Sequence, residues 1–307
     1  MERLLKGCYG IVMTPFLDNG KVDFKTLEQH IRTLTESSIT GFVACGSTGE
    51  FSRLTPEENL ELMKCVHDAN EGKKQFICGA TAPDTYTTNK YIEKISEMGA
   101  DAMLIAPPYY FPMSDEEVIA FYDDISCNNA AKVPIVAYNI PQCTTQISVN
   151  VFKHIVQLED IKGMKNSWMN LCEIMSMINI RDKYRPDMSM LTGLDACLYP
   201  TLSLGGDGLF TAIAYLLPQY AATIYKRFGD GDFSLRFQQE MLELIDKIGE
   251  FSFPHGYRLL AEAAGFPLGR SRMSIGTELA KRSADGIAEM KQIIDKLNYR
   301  LWEEKEL

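Results

Sequence analysis

Eight short apolar runs, separated by longer stretches of helical periodicity, constrain this chain more than any other feature of its sequence. The runs are Tyr9–Met13, Gly41–Cys45, Gln75–Gly79, Ala102–Ile105, Ile135–Asn139, Ile161–Lys165, Ser189–Gly193 and Gly208–Thr211. Each has the length of a buried strand and is too short for a helix. The stretches between them open with helix-start signals. In Thr55-Pro56-Glu57-Glu58 a hydroxyl and a carboxylate sit three residues apart, each placed to bind the other's backbone N–H. Proline there takes the first helical position, where its missing N–H costs nothing. Ser114-Asp115-Glu116-Glu117 repeats the device before Val118–Phe121. Strands alternating with helices imply parallel β-α units. Eight of them in roughly 225 residues match the count and size of a closed (β/α)8 TIM barrel.

An open doubly wound sheet would instead carry a Gly-x-Gly-x-x-Gly turn after the first strand, and Gly10-Ile11-Val12-Met13-Thr14-Pro15 is not one. After Pro218 the strand signal stops, and apolar residues recur at helical spacing through Phe237–Ile248. The expected organisation is a barrel over residues 1–228 with a helical extension over 229–307 packed on it. No linker, repeat or low-complexity segment separates the two.

An apolar content of 46% provides for one large core, while a formal charge of −10 disfavours nucleic acid and anionic membrane as partners. A small anion remains open to an acidic chain through local N–H groups. The eight cysteines contain no Cys-x-x-Cys; Cys45 and Cys78 lie in apolar runs and read as small buried hydrophobes. A reducing compartment suits such a chain. Four scattered histidines give no pair at metal-ligand spacing. The first residues lack a signal core and no stretch is long enough to span a membrane, so a soluble cytoplasmic protein is expected.

Barrel active sites gather where strands end, on the carboxyl-terminal face. The second run ends in Gly46-Ser47-Thr48-Gly49-Glu50, a tight turn able to hold a carboxylate or simply a well-capped loop. The fourth ends in Pro107-Pro108-Tyr109-Tyr110, where tandem tyrosines more often pack than react. The fifth ends in Tyr138-Asn139-Ile140-Pro141, the seventh in Gly193-Leu194-Asp195. The sixth ends in Lys165. A charged amine buried there carries a large desolvation cost unless it snorkels to water, and a neutral, nucleophilic amine ready for a Schiff base explains it best.

Together these strand ends resemble the dihydrodipicolinate synthase and N-acetylneuraminate lyase superfamily, the pyruvate-type class I aldolases. Gly-Ser-Thr-Gly-Glu (46–50), Tyr-Asn-Ile-Pro (138–141) and Gly-Met-Lys (163–165) carry the match. Gly-x-Asp (193–195) and Gly-Gly-Asp-Gly (205–208) support it. The resemblance implies that Lys165 forms an imine with pyruvate, or with a 2-oxo acid being cleaved to pyruvate and an aldehyde. It implies Tyr138 as general acid/base, Ser47 as its proton relay, and Ser47 with Thr48 as the carboxylate clamp. Tyr110 would complete the relay in a neighbouring subunit, which implies an oligomer, commonly a homotetramer built as a dimer of dimers. Ile140, Cys143, Gly193, Asp195 and Thr211 would contact substrate. No metal or organic cofactor is required.

The departures concern the second substrate. Dihydrodipicolinate synthases place an arginine where this chain has Cys143, and a thiol is no cationic bidentate grip. Unless another basic residue substitutes, that activity is disfavoured. Sialate lyases usually carry Asp-Glu where this chain has Asp195-Ala196, although Pro-Tyr-Tyr-Phe-Pro (108–112) looks closer to their branch. Trp168, Phe210 and Tyr215 are bulkier than usual; they either fill core or narrow the pocket. The leading expectation is a lyase or aldolase for a 2-keto-3-deoxy sugar acid or a sialic acid. Dihydrodipicolinate synthase with a replaced clamp is the alternative, and a non-catalytic 2-oxo-acid-binding protein is the alternative of another class.

Overall fold

The computed structural model describes residues 3–303. Eight parallel strands close into a barrel in chain order: β1 (Gly7–Ile11), β2 (Gly41–Ala44), β3 (Gln75–Gly79), β4 (Ala102–Ile105), β5 (Ile135–Asn139), β6 (Ile161–Asn166), β7 (Ser189–Thr192) and β8 (Gly208–Thr211). The helices that return the chain between them are α1 (Phe24–Thr35), α2 (Pro56–Asn70), α3 (Thr85–Met98), α4 (Asp115–Asn128), α5 (Val149–Ile155), α6 (Leu171–Tyr184) and α7 (Leu198–Ser203). The fold is the expected TIM barrel.

Helix starts follow the sequence signals. Thr55 Oγ1 accepts from the Glu58 N–H at 3.2 Å while Glu58 accepts from the Thr55 N–H at 3.0 Å. Ser114 and Glu117 do the same at 3.3 and 2.7 Å. Such caps satisfy N–H groups that the first turn leaves orphaned, each contributing about 1 kcal/mol.

β1 begins two residues earlier than its apolar run suggests, and the reason lies in the closure of the barrel. Gly7 pairs with Gly208, both with positive φ (114° and 147°). A Cβ on Gly208 would lie 1.9 Å from the Gly7 carbonyl oxygen. The two backbones meet where no side chain fits, and glycine carries no apolar signal.

The barrel interior is packed. The Tyr9 and Phe210 rings meet at a tilt of 58° with 4.7 Å between centroids, and Ile11, Val43, Val136 and Leu191 are buried around them. Phe210 is therefore core. So is Tyr215, which lies against Phe266 and closes over Gly10. The Gly-Gly-Asp-Gly run also resolves to structure. Asp207 is buried, accepts from the Met190 N–H at 2.8 Å and pairs with the buried Arg181 at 3.2 Å.

Beyond β8 the chain is helical: α8 (Ala212–Leu216), α9 (Pro218–Lys226), α10 (Phe233–Glu240), α11 (Leu242–Gly249), α12 (His255–Ala263) and α13 (Thr277–Glu303). The periodic stretch Phe237–Ile248 is split between α10 and α11 at Met241 alone, so its apolar spacing persists and Phe237, Leu244 and Ile248 stay buried on one side. Among the described residues no helix is long and apolar enough to cross a membrane.

Candidate active site

A local irregularity decides which way Lys165 points. Strand neighbours share a face, and a shift of one residue turns every later side chain over. Between β5 and β6 the register runs Ile135↔Ile161 and then Val136↔Gly163, so β6 carries one extra residue at Lys162. Downstream of that bulge Tyr138 pairs with Lys165, which pairs in turn with Leu191 of β7. Tyr138 and Leu191 belong to the barrel interior, so Lys165 joins them there. Lys162, the extra residue, reaches outward toward Asp187 at 3.8 Å.

Lys165 is 3% exposed, and its Nζ lies 4.0 Å from the centre of the Tyr138 ring. It has no hydrogen bond or ion pair among the described residues. Gly193 makes room for it: a Cβ there would stand 2.6 Å from Lys165 Cε and 2.0 Å from Ser167 Oγ.

Asp195 sits beside the lysine. Burial pushes its carboxyl above the ordinary 3.8, against the opposing effects of the Thr211 hydroxyl, the Tyr257 hydroxyl, the Ile213 N–H and the Lys165 charge. Tyr257, from α12, donates to Asp195 Oδ2 at 2.7 Å. Its phenol is in turn raised well above the usual value, by burial first and then by the Asp195 charge. Gln238 of α10 donates to the Asp195 carbonyl at 3.1 Å, and Thr211 caps α8 through the Ala214 N–H. Gly193, Asp195 and Thr211 thus gather around Lys165.

The turn after β2 is forced by close packing. A Cβ on Gly46 would come within 2.9 Å of Ile11, and one on Gly49 within 2.4 Å of the Val12 carbonyl. The Gly49 and Glu50 N–H groups fold back onto Gly46 and Ser47 at 3.0 Å each. Those of Ser47 and Thr48 take no acceptor among the described residues. Glu50 is buried in a left-handed conformation (φ 65°) and ion-paired to Arg258 at 2.7 Å and to Arg53.

Above this floor opens a cavity of about 230 Å³. Ser47, Glu50, Phe51, Ser52 and Arg53 line one side, Thr81, Ala106 and Tyr109 another, Tyr138, Ile140, Cys143 and Thr144 a third. Phe253 and Pro254, ahead of α12, close it. Burial pushes the Cys143 thiol up, with the Lys165 charge opposing, so the two groups share one electrostatic space.

Ser47, Tyr138, Ile140 and Cys143 therefore line one cavity, as sequence reasoning brings them together. Thr48 is half-buried and does not line it. Tyr110 stands outside the cavity of its own chain: it is 86% exposed, in a left-handed conformation, its ring against the exposed Phe111 at 4.9 Å. Trp168 is half-buried and also off the cavity. Sequence reasoning misses Arg53, Tyr109, Thr81, Phe253 and Tyr257. Arg53 lies one helical turn past Glu50 and was detectable as the first basic residue after that motif. Phe253 and Tyr257 arrive from the distant extension with no local signal.

Comparison with known proteins bears on the family and the fold. The model of the Dihydrodipicolinate synthetase family matches residues 4–292. The chain is 28% identical over 281 residues to the 4-hydroxy-tetrahydrodipicolinate synthase of Caldicellulosiruptor bescii, covering 91% of this chain and 93% of that one. It is 31% identical over 233 residues to the enzyme of that name from Protochlamydia amoebophila, covering 75% and 76%. Among solved structures, YagE of E. coli, a prophage protein of the dihydrodipicolinic acid synthase family crystallised with pyruvate, superposes with a TM-score of 0.87 at 24% identity, covering 96% and 99%. A catalytic lysine mutant of Ruminococcus gnavus sialic acid aldolase gives 0.87 at 18% identity, covering 98% and 99%. At these identities the structural likeness establishes the fold.

Proposed function

The chain belongs to the dihydrodipicolinate synthetase family, whose members are carbon–carbon lyases that work through a Schiff base, and on that premise we propose that Lys165 is the imine-forming amine of a pyruvate-type class I aldolase. The observation that carries this reading is the setting of Lys165. It is a buried amine that makes no ion pair or hydrogen bond among the described residues, facing into the barrel mouth beside Tyr138, with Gly193 clearing its path. A lysine kept only for stability would be expected to hold a carboxylate at such depth.

In the condensing direction Nζ bonds to the ketone carbon of pyruvate, and the carbonyl oxygen leaves as water after taking two protons. The imine draws electrons from the adjacent methyl carbon, which loses a proton to give an enamine. That carbon bonds to the aldehyde carbon, the aldehyde oxygen takes a proton, and water releases the product from Lys165. Cleavage is the reverse. Tyr138 moves the protons at the two oxygens, with Ser47 on the same cavity as its relay. The free Ser47 and Thr48 N–H groups hold the pyruvate carboxylate. Ile140, Cys143, Gly193, Asp195 and Thr211 surround the reacting atoms.

Tyr110 serves a neighbouring subunit in this reading, in a homotetramer arranged as a dimer of dimers. Its exposure together with Phe111 supports that role, since an exposed aromatic pair is the kind of surface an interface buries. Eight free cysteines support a reducing cytoplasm. The substrate is a 2-oxo acid of the keto-deoxy sugar acid or sialic acid type. Arg53 on the cavity wall favours a second reading, in which the aldehyde is the acidic one used by dihydrodipicolinate synthases.

Borohydride added in the presence of pyruvate reduces an imine to a stable adduct, which peptide mass mapping locates. An adduct on the Lys165 peptide is expected; none, with pyruvate saturating, would sink the mechanism.

A further inference from the structure

Formation of the enamine needs a base for a proton held on carbon, whereas Tyr138 and Ser47 serve oxygens. Such a base must be buried beside the imine, held in place without substrate, and left with one acceptor atom open. Asp195 meets these conditions. It is 6% exposed, and its Oδ1 takes no hydrogen bond among the described residues. A buried carboxylate oxygen without a donor is destabilising, and folds that keep one have a reason for it. Oδ2, by contrast, accepts from the Tyr257 hydroxyl at 2.7 Å, and the Asp195 carbonyl accepts from Gln238 at 3.1 Å. Both donors belong to the helical extension, on α12 and α10. The extension thus fixes the carboxyl and leaves one of its oxygens open.

The ladder sets the side from which Asp195 approaches. Lys165 stands between Tyr138 of β5 and Leu191 of β7. The chain leaves β7 through Gly193, which lies against Lys165 Cε, and reaches Asp195 two residues on. Tyr138 and Asp195 therefore come to the amine from the strands on either side of it. The groups that face the Asp195 carboxyl are Lys165 on β6, Tyr257 on α12, the Thr211 hydroxyl and Ile213 N–H at the start of α8, and the Cys197 thiol in the same turn. Tyr257 in turn faces Tyr138 of β5. Neither Thr211 nor Ile213 closes a hydrogen bond on Oδ1. Burial outweighs their effect and that of the Lys165 charge and holds the carboxyl above its ordinary 3.8, so its ionised form is a stronger base than an exposed carboxylate.

We propose that Asp195 Oδ1 is the base that takes the proton from the methyl carbon of the imine between Lys165 and pyruvate, with Tyr257 as its positioning residue. This rests on the imine reading and deepens it. The C–H bond breaks, its electron pair becomes the carbon–carbon double bond, and the π pair of the protonated C=N moves onto Nζ. The proton ends on Oδ1. In condensation it passes on to water, while the aldehyde oxygen is protonated through Tyr138. In cleavage the protonated carboxyl returns it to the enamine carbon before water releases pyruvate.

The full chain incubated with pyruvate in D2O, with no aldehyde present, isolates this step. Proton NMR follows the exchange of the pyruvate methyl protons for deuterium above the protein-free rate, which requires the imine and its deprotonation. Borohydride trapping on Lys165 measures the imine alone. In Asp195→Asn the exchange rate divided by the trapped adduct should fall roughly 100-fold or more, as for a lost general base. Tyr257→Phe removes a hydrogen bond that favours the ionised carboxyl, so the rise of exchange with pH should move to higher pH. An unchanged exchange-to-adduct ratio in Asp195→Asn overturns the proposal, as does a trapped wild-type adduct whose methyl protons do not exchange. If Asp195→Asn does not fold, the Tyr257→Phe profile decides, and a profile at the wild-type position overturns the proposal. Absence of any wild-type adduct with pyruvate saturating defeats the imine reading, and the proposal with it, a result distinct from the others.

Discussion

Replacing Gly193 by alanine would drive a methyl group into space that the Lys165 side chain occupies. The added Cβ would lie 2.6 Å from Lys165 Cε and 2.0 Å from Ser167 Oγ. Carbon atoms in contact prefer about 3.5–4.0 Å, so the lysine must retreat by about 1 Å or the strand must move. Overpacking of this kind costs about 1–3 kcal/mol of stability. Misplacing a reacting group by about 1 Å costs on the order of 100-fold in rate. The two effects are separable, because Ser167 Oγ is buried without a hydrogen-bond partner and can be removed at little cost. In Gly193→Ala with Ser167→Ala the closest clash disappears and the lysine contact remains. Urea unfolding should therefore show part of the lost stability restored in the double variant. The rate of borohydride-trapped adduct formation with pyruvate should stay depressed by about 100-fold in both. If Gly193→Ala formed the adduct at the wild-type rate, the packing of Gly193 against Lys165 would be wrong, and with it the reason for a glycine at this strand end.

Asp195→Asn isolates a buried carboxyl whose folded-state pKa is raised, so the wild-type folded chain holds its proton more tightly than the unfolded chain. The stability advantage of the wild type over this variant should be largest below pH 3.8 and shrink as pH rises through that value, read from urea curves at several pH values; an advantage that grows with pH would contradict the burial argument. Asp207→Asn removes the buried anion that Arg181 shares with Arg3 and leaves Arg181 only the half-exposed Asp182 carboxylate, so it should cost up to about 3–5 kcal/mol in urea unfolding while the adduct rate of the folded protein holds. A matching loss of adduct formation would mean that Asp207 reaches the site. Tyr110→Ala and Lys165→Ala proteins should each be nearly inactive alone and recover activity when unfolded and refolded together, since a mixed assembly contains sites with both groups. No recovery would confine Tyr110 to its own chain.

Much of the fold was legible because strands buried on both faces are written as plain apolar runs, and the helix starts as capping boxes at Thr55 and Ser114. What escaped was written in glycine or in tertiary geometry. Gly7 opens β1 with no apolar side chain to announce it. The motif residues Ser47, Tyr138 and Cys143 were legible as strand ends. The extra residue at Lys162 was not, although without it the side chain of Lys165 would face the helices. Phe210 on β8 and Tyr215 on α8 just after it read as candidate pocket residues because that strand is adjacent to the site, but sequence does not say at what height along the barrel a side chain lies.

Arg53 and Tyr257 escaped for a further reason, which bears on how such a site changes its substrate. Lys165 and Tyr138 stand on strands paired on both sides, where any shift disturbs the whole ladder. The walls are built differently. Cys143 lies on a loop, Arg53 on a single 3-10 turn (Phe51–Arg53), Phe253 and Pro254 precede α12, and Tyr257 and Arg258 ride on it. A side chain on such a wall can change without disturbing the barrel, because it needs only a backing such as Glu50 and Arg272 give Arg53 to hold it in place. On the proposed reading, imine formation sits in the rigid part and aldehyde choice in the adjustable one. The residue at position 143 alone is then a poor guide to the aldehyde, and the whole set of side chains lining the cavity is the better one.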